Sequence, residues 1–277
     1  MQDNILNDLE HVSLEELGRL ANVVSLESAS AAQFLVDSRA RFSQFFGKAD
    51  NFFKRMSFTV LGSGKVGYSP LLKAIDKYGF VDASQRNVIT PKGFVGLWAP
   101  YAGELYSTLK DAVQLSRVIS EYNQCLGQLI ADPDQLKSAA GIPYNGRYDL
   151  GIHTHMVSIG QTYFDPKNEG VTRQLGAVVE RVADIPMVYN SLNDAILLDK
   201  TKPSTEVTKL IARSMELSKK LVPLVEENPN VSKPVREQLI QLTYSIAREV
   251  EAYSTLLYRI RQFSLALEDS PKELLKV

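Results

Sequence analysis

The chain has 277 residues, and its 31 Lys and Arg stand against 32 Asp and Glu, a formal net charge of −1. That near balance argues against general coating of nucleic acid and against attraction of the whole protein to an anionic membrane. With 44% hydrophobic and 23% charged residues, the chain can bury a substantial core, as one elaborated domain or two intimate ones, and is not disordered throughout.

From the beginning of the chain, Ser13-Leu-Glu-Glu16 reads as a capping box, with Leu14, Leu17, Leu20 and Val24 on one helical stripe. A second helix is predicted from Ser28 to Met56. Phe34/Leu35, Phe42, Phe45/Phe46, Ala49, Phe52/Phe53 and Met56 recur in it every three or four residues. Residues 1–56 would then be a helical N-terminal arm. Charge divides along it. Asp3, Asp8, Glu10, Glu15, Glu16 and Glu27 face only Arg19, whereas Arg39, Arg41, Lys48, Lys54 and Arg55 face only Asp50.

Ser57-Phe-Thr-Val-Leu61 is short, β-branched and aromatic, and reads as a strand ending in glycines. Ser69-Pro70 resembles an N-cap with proline at the first helical position, opening a helix to Tyr78. Between Gly79 and Gly103, glycine, proline and aromatics suggest strands and loops. A long helix is expected over 104–131, with Leu105, Leu109, Ala112, Ile119, Tyr122, Leu126 and Leu129 on its stripe. Cys125 falls in that helix. It is the only cysteine, so it is expected to be a buried structural thiol in a reducing compartment.

Gly151 to Gly160 reads as a second strand region, closed by Asp165-Pro166. Residues 57–170 would therefore form a small mixed α/β centre interrupted by one long helix. The remaining 171–277 is predicted helical: Val171–Asp199 with a kink at Pro186, Ser204–Glu227, and Ser232–Glu268. In the last, Val235, Leu239, Leu242, Ile246, Val250, Tyr253, Leu257, Ile260, Phe263 or Ser264, and Leu267 alternate gaps of three and four. Such a helix would be roughly 55 Å long. The short link Asn228-Pro-Asn-Val231 makes the last two helices a hairpin or the core of a bundle. The expected fold class is thus mainly α with a small α/β centre.

Three patterns could carry chemistry. Gly62-Ser-Gly64-Lys-Val-Gly67, with Asp82 further on, matches a dinucleotide fingerprint after a predicted strand. Its helix, however, is predicted to open only at Pro70 by the proline signal, and no βαβ alternation follows. A glycine-rich loop is the simpler reading, and a nucleotide-binding enzyme the alternative. Val66 and Thr59 stand where a P-loop needs Ser/Thr and Gly. His153 and His155 alternate on a predicted strand and would share one face, so they could ligate a metal with Asp149 or Asp165. Strand residues at a polar surface are the simpler reading. Basic residues interleave with phenylalanines over Arg39–Arg55, which could bind single-stranded nucleic acid, but the shared stripe favours burial of the rings. No Gly-x-Ser-x-Gly or His-Glu-x-x-His sequence occurs, so neither a catalytic constellation nor a cofactor is expected.

No apolar run approaches the ~20 residues that span a bilayer. Met1-Gln-Asp-Asn4 lacks the basic and apolar regions of a signal peptide. A cytoplasmic protein is expected. Ser13-Leu-Glu15, Ser25-Leu-Glu27 and the similar Ser214-Met-Glu216 resemble the tripeptides cut by prohead proteases of large tailed bacteriophages. With the irregular helical arms, they give the chain a resemblance to structural or assembly-accessory proteins of such phages. That resemblance implies a virion component or an accessory of a phage-built assembly in the host cytoplasm. The function expected is non-enzymatic, through contacts with other proteins or with further copies of itself. Asp3, Asp8, Glu10, Glu15, Glu16, Arg39, Arg41 and Arg55 would be its interaction residues.

Overall fold

The computed structural model describes residues 39–40, 42–51, 66–143, 145–201 and 203–276. The capping box at Ser13, the acidic stretch from Asp3 to Glu27, the strand over 57–61, and Gly62, Gly64, Arg41 and Arg55 lie outside them. After a helical segment over 42–51 come α1 (Ser69–Tyr78), α2 (Phe80–Ser84), β1 (Asn87–Ile89), α3 (Trp98–Ala112) and α4 (Leu115–Ala131). Short 3-10 turns lead to α5 (Ile152–Tyr163), β2 (Thr172–Gln174), α6 (Asp184–Lys200), α7 (Pro203–Glu227) and α8 (Lys233–Leu274). The class is mainly α with a small sheet, as the periodicities require.

The chain divides into two compact units. The first takes the segment 42–51, Gln114–Leu150 and Thr205–Glu251, so it contains α4, most of α7 and the first part of α8. Phe42, Phe45 and Phe46 are at most 2% exposed there, as expected for this part of the phenylalanine stripe; Phe34, Phe52 and Phe53 lie outside the described residues. Polar side chains brace the helices. Asn123 of α4 donates to the Leu210 carbonyl at 2.8 Å and accepts from Ser214 Oγ at 2.7 Å, both on α7. Tyr122 Oη and Thr243 Oγ1 of α8 lie 2.9 Å apart. Gln238 donates to the Ile142 carbonyl at 2.8 Å, and Arg248 pairs with Asp149 at 2.8 Å.

The second unit takes 66–113, Gly151–Ser204 and 252–276. Here α3 packs on α5 and α6, and β1 pairs antiparallel with β2 in the register Val88 opposite Arg173. The ladder is short, and α8 completes it. Ser270 Oγ accepts from the Ile89 amide at 3.1 Å and donates to the Ala266 carbonyl at 2.7 Å. Arg86 donates to the carbonyls of Leu274 and Lys276 at the end of α8 while its guanidinium stacks 3.7 Å from the Tyr78 ring. Those terminal carbonyls have no partner within the helix, so a cation there is favoured twice.

Four predicted elements need correction. The helix expected over 104–131 is two helices, α3 and α4, separated at Val113 and Gln114, where the backbone keeps right-handed helical angles. The first of them opens earlier than expected, at Trp98, whose amide donates to the Val178 carbonyl at 2.9 Å. Pro100 sits in its first turn, where a missing donor costs little. Gly151–Gly160 forms no strand; it belongs to helix α5, whose buried residues Ile152, Met156, Ile159 and Tyr163 keep helical spacing. The helix expected over Val171–Asp199 begins only at Asp184, after β2. Pro186 then lies in its first turn and has no helix interior to kink. At the other end of the chain, α8 runs past the expected Glu268 through Pro271 to Leu274, because Ser270 and Leu274 are both fully buried.

Candidate functional site

Of the glycine pattern only its end is described. Val66 is buried, and Asn193 of α6 clamps its backbone, accepting from the amide at 2.9 Å and donating to the carbonyl at 3.0 Å. Gly67 has nothing within 4 Å of where a β-carbon would stand. No close approach of backbone calls for glycine there. Helix α1 begins at Ser69, which is its first residue; Tyr68 is its cap and makes no side-chain capping bond. Asp82 is exposed on the short helix α2, whereas the fingerprint needs an acid at a strand end. The sheet among the described residues is antiparallel. These residues do not assemble the surroundings of a dinucleotide site.

Helix α5 separates the two histidines. Positions i and i+2 on a helix point about 200° apart, so His153 is half-buried and His155 exposed, and the predicted shared face does not exist. Asp149 pairs with Arg248, and Asp165 accepts from the Lys167 amide at 2.9 Å. Among the described residues no group of three His, Cys, Asp or Glu is placed to hold a metal ion.

Arg39 is half-buried and lies close to Arg236 of α8. Burial first, and the Arg39 charge second, lower the pKa of Arg236. Lys48 is exposed, but Phe42, Phe45 and Phe46 are inside and offer no ring face for a base to stack on. Ser214, the first residue of the third protease-like tripeptide, is 1% exposed in the middle of α7. It serves as a brace to α4, not as accessible backbone. Cys125 is buried, and burial pushes its thiol up to about 11, as a structural thiol requires.

The densest chemistry in the second unit is an aromatic cluster that the sequence did not single out. Phe94, Trp98, Tyr101, Tyr163, Phe164 and Phe263 come from the β1–α3 loop, α3, the end of α5 and α8. The Tyr101 ring lies 5.0 Å from both Phe94 and Phe263, 5.2 Å from Tyr163 and 5.7 Å from Phe164. Gly96 makes room for the Tyr163 ring: a β-carbon there would stand 2.3 Å from Tyr163 Cδ1. Tyr163 donates to Glu104 Oε1 at 2.8 Å. Its phenol pKa is raised by burial first and by that carboxylate second. Arg259 of α8 lays its guanidinium 4.1 Å over the Phe164 ring. Burial pushes the Tyr101 phenol up to about 12, against the opposing Arg259 charge. Four separate chain segments contribute, so only the glycine at 96 carried a local signal.

Nearby, Leu97, Trp98, Pro100, Val178, Asp184 and Val188 line a cavity of about 30 Å³. That holds roughly one water, far below the few hundred Å³ of a small-molecule pocket. Solvent-facing apolar side chains are prominent elsewhere in this unit. Met187 and Leu197 of α6 are 51% and 57% exposed, with Asn190 and Asp194 between them on the same face. Tyr258 and Leu265 of α8, two turns apart, are also exposed.

What the fold and these sites define is a class only: a mainly helical protein with a small antiparallel sheet, in which no described helix is long and apolar enough to cross a membrane. No protein-family model, curated protein or solved structure matches the chain.

Proposed function

We propose that the protein is a non-enzymatic structural or adaptor component, making protein–protein contacts within a larger assembly inside a cell or virion. The observation that carries the reading is how polar and apolar groups are distributed. Buried hydroxyls and amides brace one element to another: Asn123 and Ser214, Tyr122 and Thr243, Ser270 at Ile89 of β1, Tyr189 at the Leu267 carbonyl. Apolar side chains meanwhile stand in solvent along α6, with Met187 and Leu197 more than half exposed. A helix face of that kind suits a partner surface, where Met and large aliphatics are useful anchors. The lone buried thiol supports a reducing compartment. Ser13-Leu-Glu15 and Ser25-Leu-Glu27 support a phage-built assembly.

The test is a tagged pull-down from the native cells after nuclease treatment, comparing wild type with Met187→Glu/Leu197→Glu. Stoichiometric, nuclease-resistant partners that the double variant loses are the expected result. A chain recovered alone, or the same partners on both proteins, would overturn the assignment of that face.

A further inference from the structure

The exposed face of α6 reads alike from either end. Leu192, near the middle of the helix, is 1% exposed and faces the interior of its unit. At about 100° per residue, the side of the helix opposite Leu192 is formed by positions 183, 187, 190, 194, 197 and 201. All six are exposed: Ala183, Met187, Asn190, Asp194, Leu197 and Thr201. They fall into pairs placed symmetrically about Leu192. Met187 and Leu197, the apolar pair, stand five residues to either side of it, and Asn190 and Asp194, the polar pair, two residues to either side. The small Ala183 and Thr201 cap the two ends of the helix.

Where two identical surfaces meet about a two-fold axis, residue i of one copy touches residue j of the other, and j touches i. A two-fold axis outside α6 at the level of Leu192 runs two such helices antiparallel. It sets Met187 against Leu197 at both ends of the contact and Asn190 against Asp194 twice in the middle. Each Asp194 carboxylate then accepts from an Asn190 side-chain amide, while the apolar pairs close over the flanks. The antiparallel sense is favoured on two further counts. The helix macrodipoles oppose each other, and a parallel pair would set the Asp194 carboxylates of the two copies side by side. A polar pair within an apolar seam also fixes the register of paired helices. Resting on the reading of this face as a contact surface, we propose that its occupant is a second copy of this chain, the two α6 helices packed antiparallel about a two-fold axis at Leu192. One helix face per copy is a small interface, so the dimer is weak, with a Kd of about micromolar or above.

Sedimentation equilibrium of the purified full chain, from about 5 to about 500 µM, reads the association constant of wild type and three variants. Wild type is expected to pass from monomer toward dimer over that range, and Met187→Glu/Leu197→Glu to stay monomeric. Asn190→Asp sets carboxylate against carboxylate at both central contacts. Association should weaken about tenfold, since each contact at an exposed site is worth about a factor of three. Asn190→Asp/Asp194→Asn exchanges the two side chains and should restore the wild-type constant to within about threefold. Only a self-pairing in this register regains its contacts by that exchange. All four positions lie on the helix surface, so every variant should keep the wild-type circular dichroism. A monomer at every concentration, a dimer that the two glutamates leave intact, or an exchanged variant no stronger than Asn190→Asp overturns the self-pairing. The pull-down with Met187→Glu/Leu197→Glu then separates the two readings. Loss of partners other than this chain keeps α6 as a contact face for a different protein, and loss of none removes that reading as well.

Discussion

The brace between α4 and α7 permits a quantitative test of what holds the first unit together. Asn123 is 8% exposed and Ser214 1%. Asn123 Nδ2 donates to the Leu210 carbonyl at 2.8 Å, and Ser214 Oγ donates to Asn123 Oδ1 at 2.7 Å, with the Leu210 carbonyl also 3.0 Å from Ser214 Oγ. Ser214→Ala removes almost no volume but leaves Asn123 Oδ1 buried without a donor, a loss of about 1–3 kcal/mol. Asn123→Ala strips the side-chain donor from Leu210 and leaves a cavity, about 2–4 kcal/mol together. The Ser214 hydroxyl then has the Leu210 carbonyl as a fallback, so the double variant should cost less than the sum by about 1–2 kcal/mol. Urea unfolding followed by circular dichroism gives the three midpoints, read at unchanged slope. Single losses that add to within about 0.5 kcal/mol would mean the two side chains act independently and the brace is misread.

Three further outcomes follow from individual side chains. Gly96→Ala places a β-carbon 2.3 Å from Tyr163 Cδ1, in a cluster where the ring has nowhere to move; a destabilisation of about 1–3 kcal/mol is expected, and an unchanged melting temperature would refute the packing. Cys125, with its thiol pushed up to about 11 by burial, should resist a thiol-exchange reagent at pH 8 until the chain unfolds; rapid labelling of the native protein would show it accessible. Burial raises Glu251 from an ordinary 4.5 to about 7, so the folded state prefers its neutral form. Its contribution to stability is fully present below pH 4.5 and is lost as pH rises through 7. Glu251→Gln should accordingly melt higher than wild type above pH 7 and alike below pH 4.5, and a gain confined to acid pH would reverse the sign of the argument.

The long stripes were legible because burial of a helix repeats at its own period. All ten apolar positions read along α8, from Val235 to Leu267, are fully buried, as are Leu105, Leu109, Ile119, Tyr122, Leu126 and Leu129 to within 1%. Where the sequence misled, two periods competed over a short span. Ile-His-Thr-His-Met-Val in α5 alternates like a strand, yet Ile152, Met156, Ile159 and Tyr163 face the core at helical spacing. Over only twelve residues the alternation favours a strand as strongly as that spacing favours a helix, and only a strand would put the two histidines on one face. The start of α3 was hidden differently. Pro100 and Gly103 look like loop residues, but the first occupies a turn with no donor to lose and the second is exposed on the helix surface.

The aromatic cluster was illegible for a reason that is physical rather than statistical. Phe94, Tyr101, Tyr163 and Arg259 are separated by tens of residues, and none has a neighbour in sequence that would mark it. What unites them is tertiary: the Phe94–Phe164 bridge brings the loop before α3 against the end of α5, and α8 carries Arg259 to the same place. A composition rich in tyrosine predicts that hydroxyls will be buried, and most here find partners, as Tyr122, Tyr163, Tyr189 and Tyr253 do. Tyr101 is buried beside Arg259, whose positive charge opposes the rise of its phenol pKa. The bracing is not complete: Thr90 Oγ1 and Trp98 Nε1 of the same unit are buried without a hydrogen-bond partner, so the cluster is held by the packing of its rings, which no local pattern of the sequence encodes.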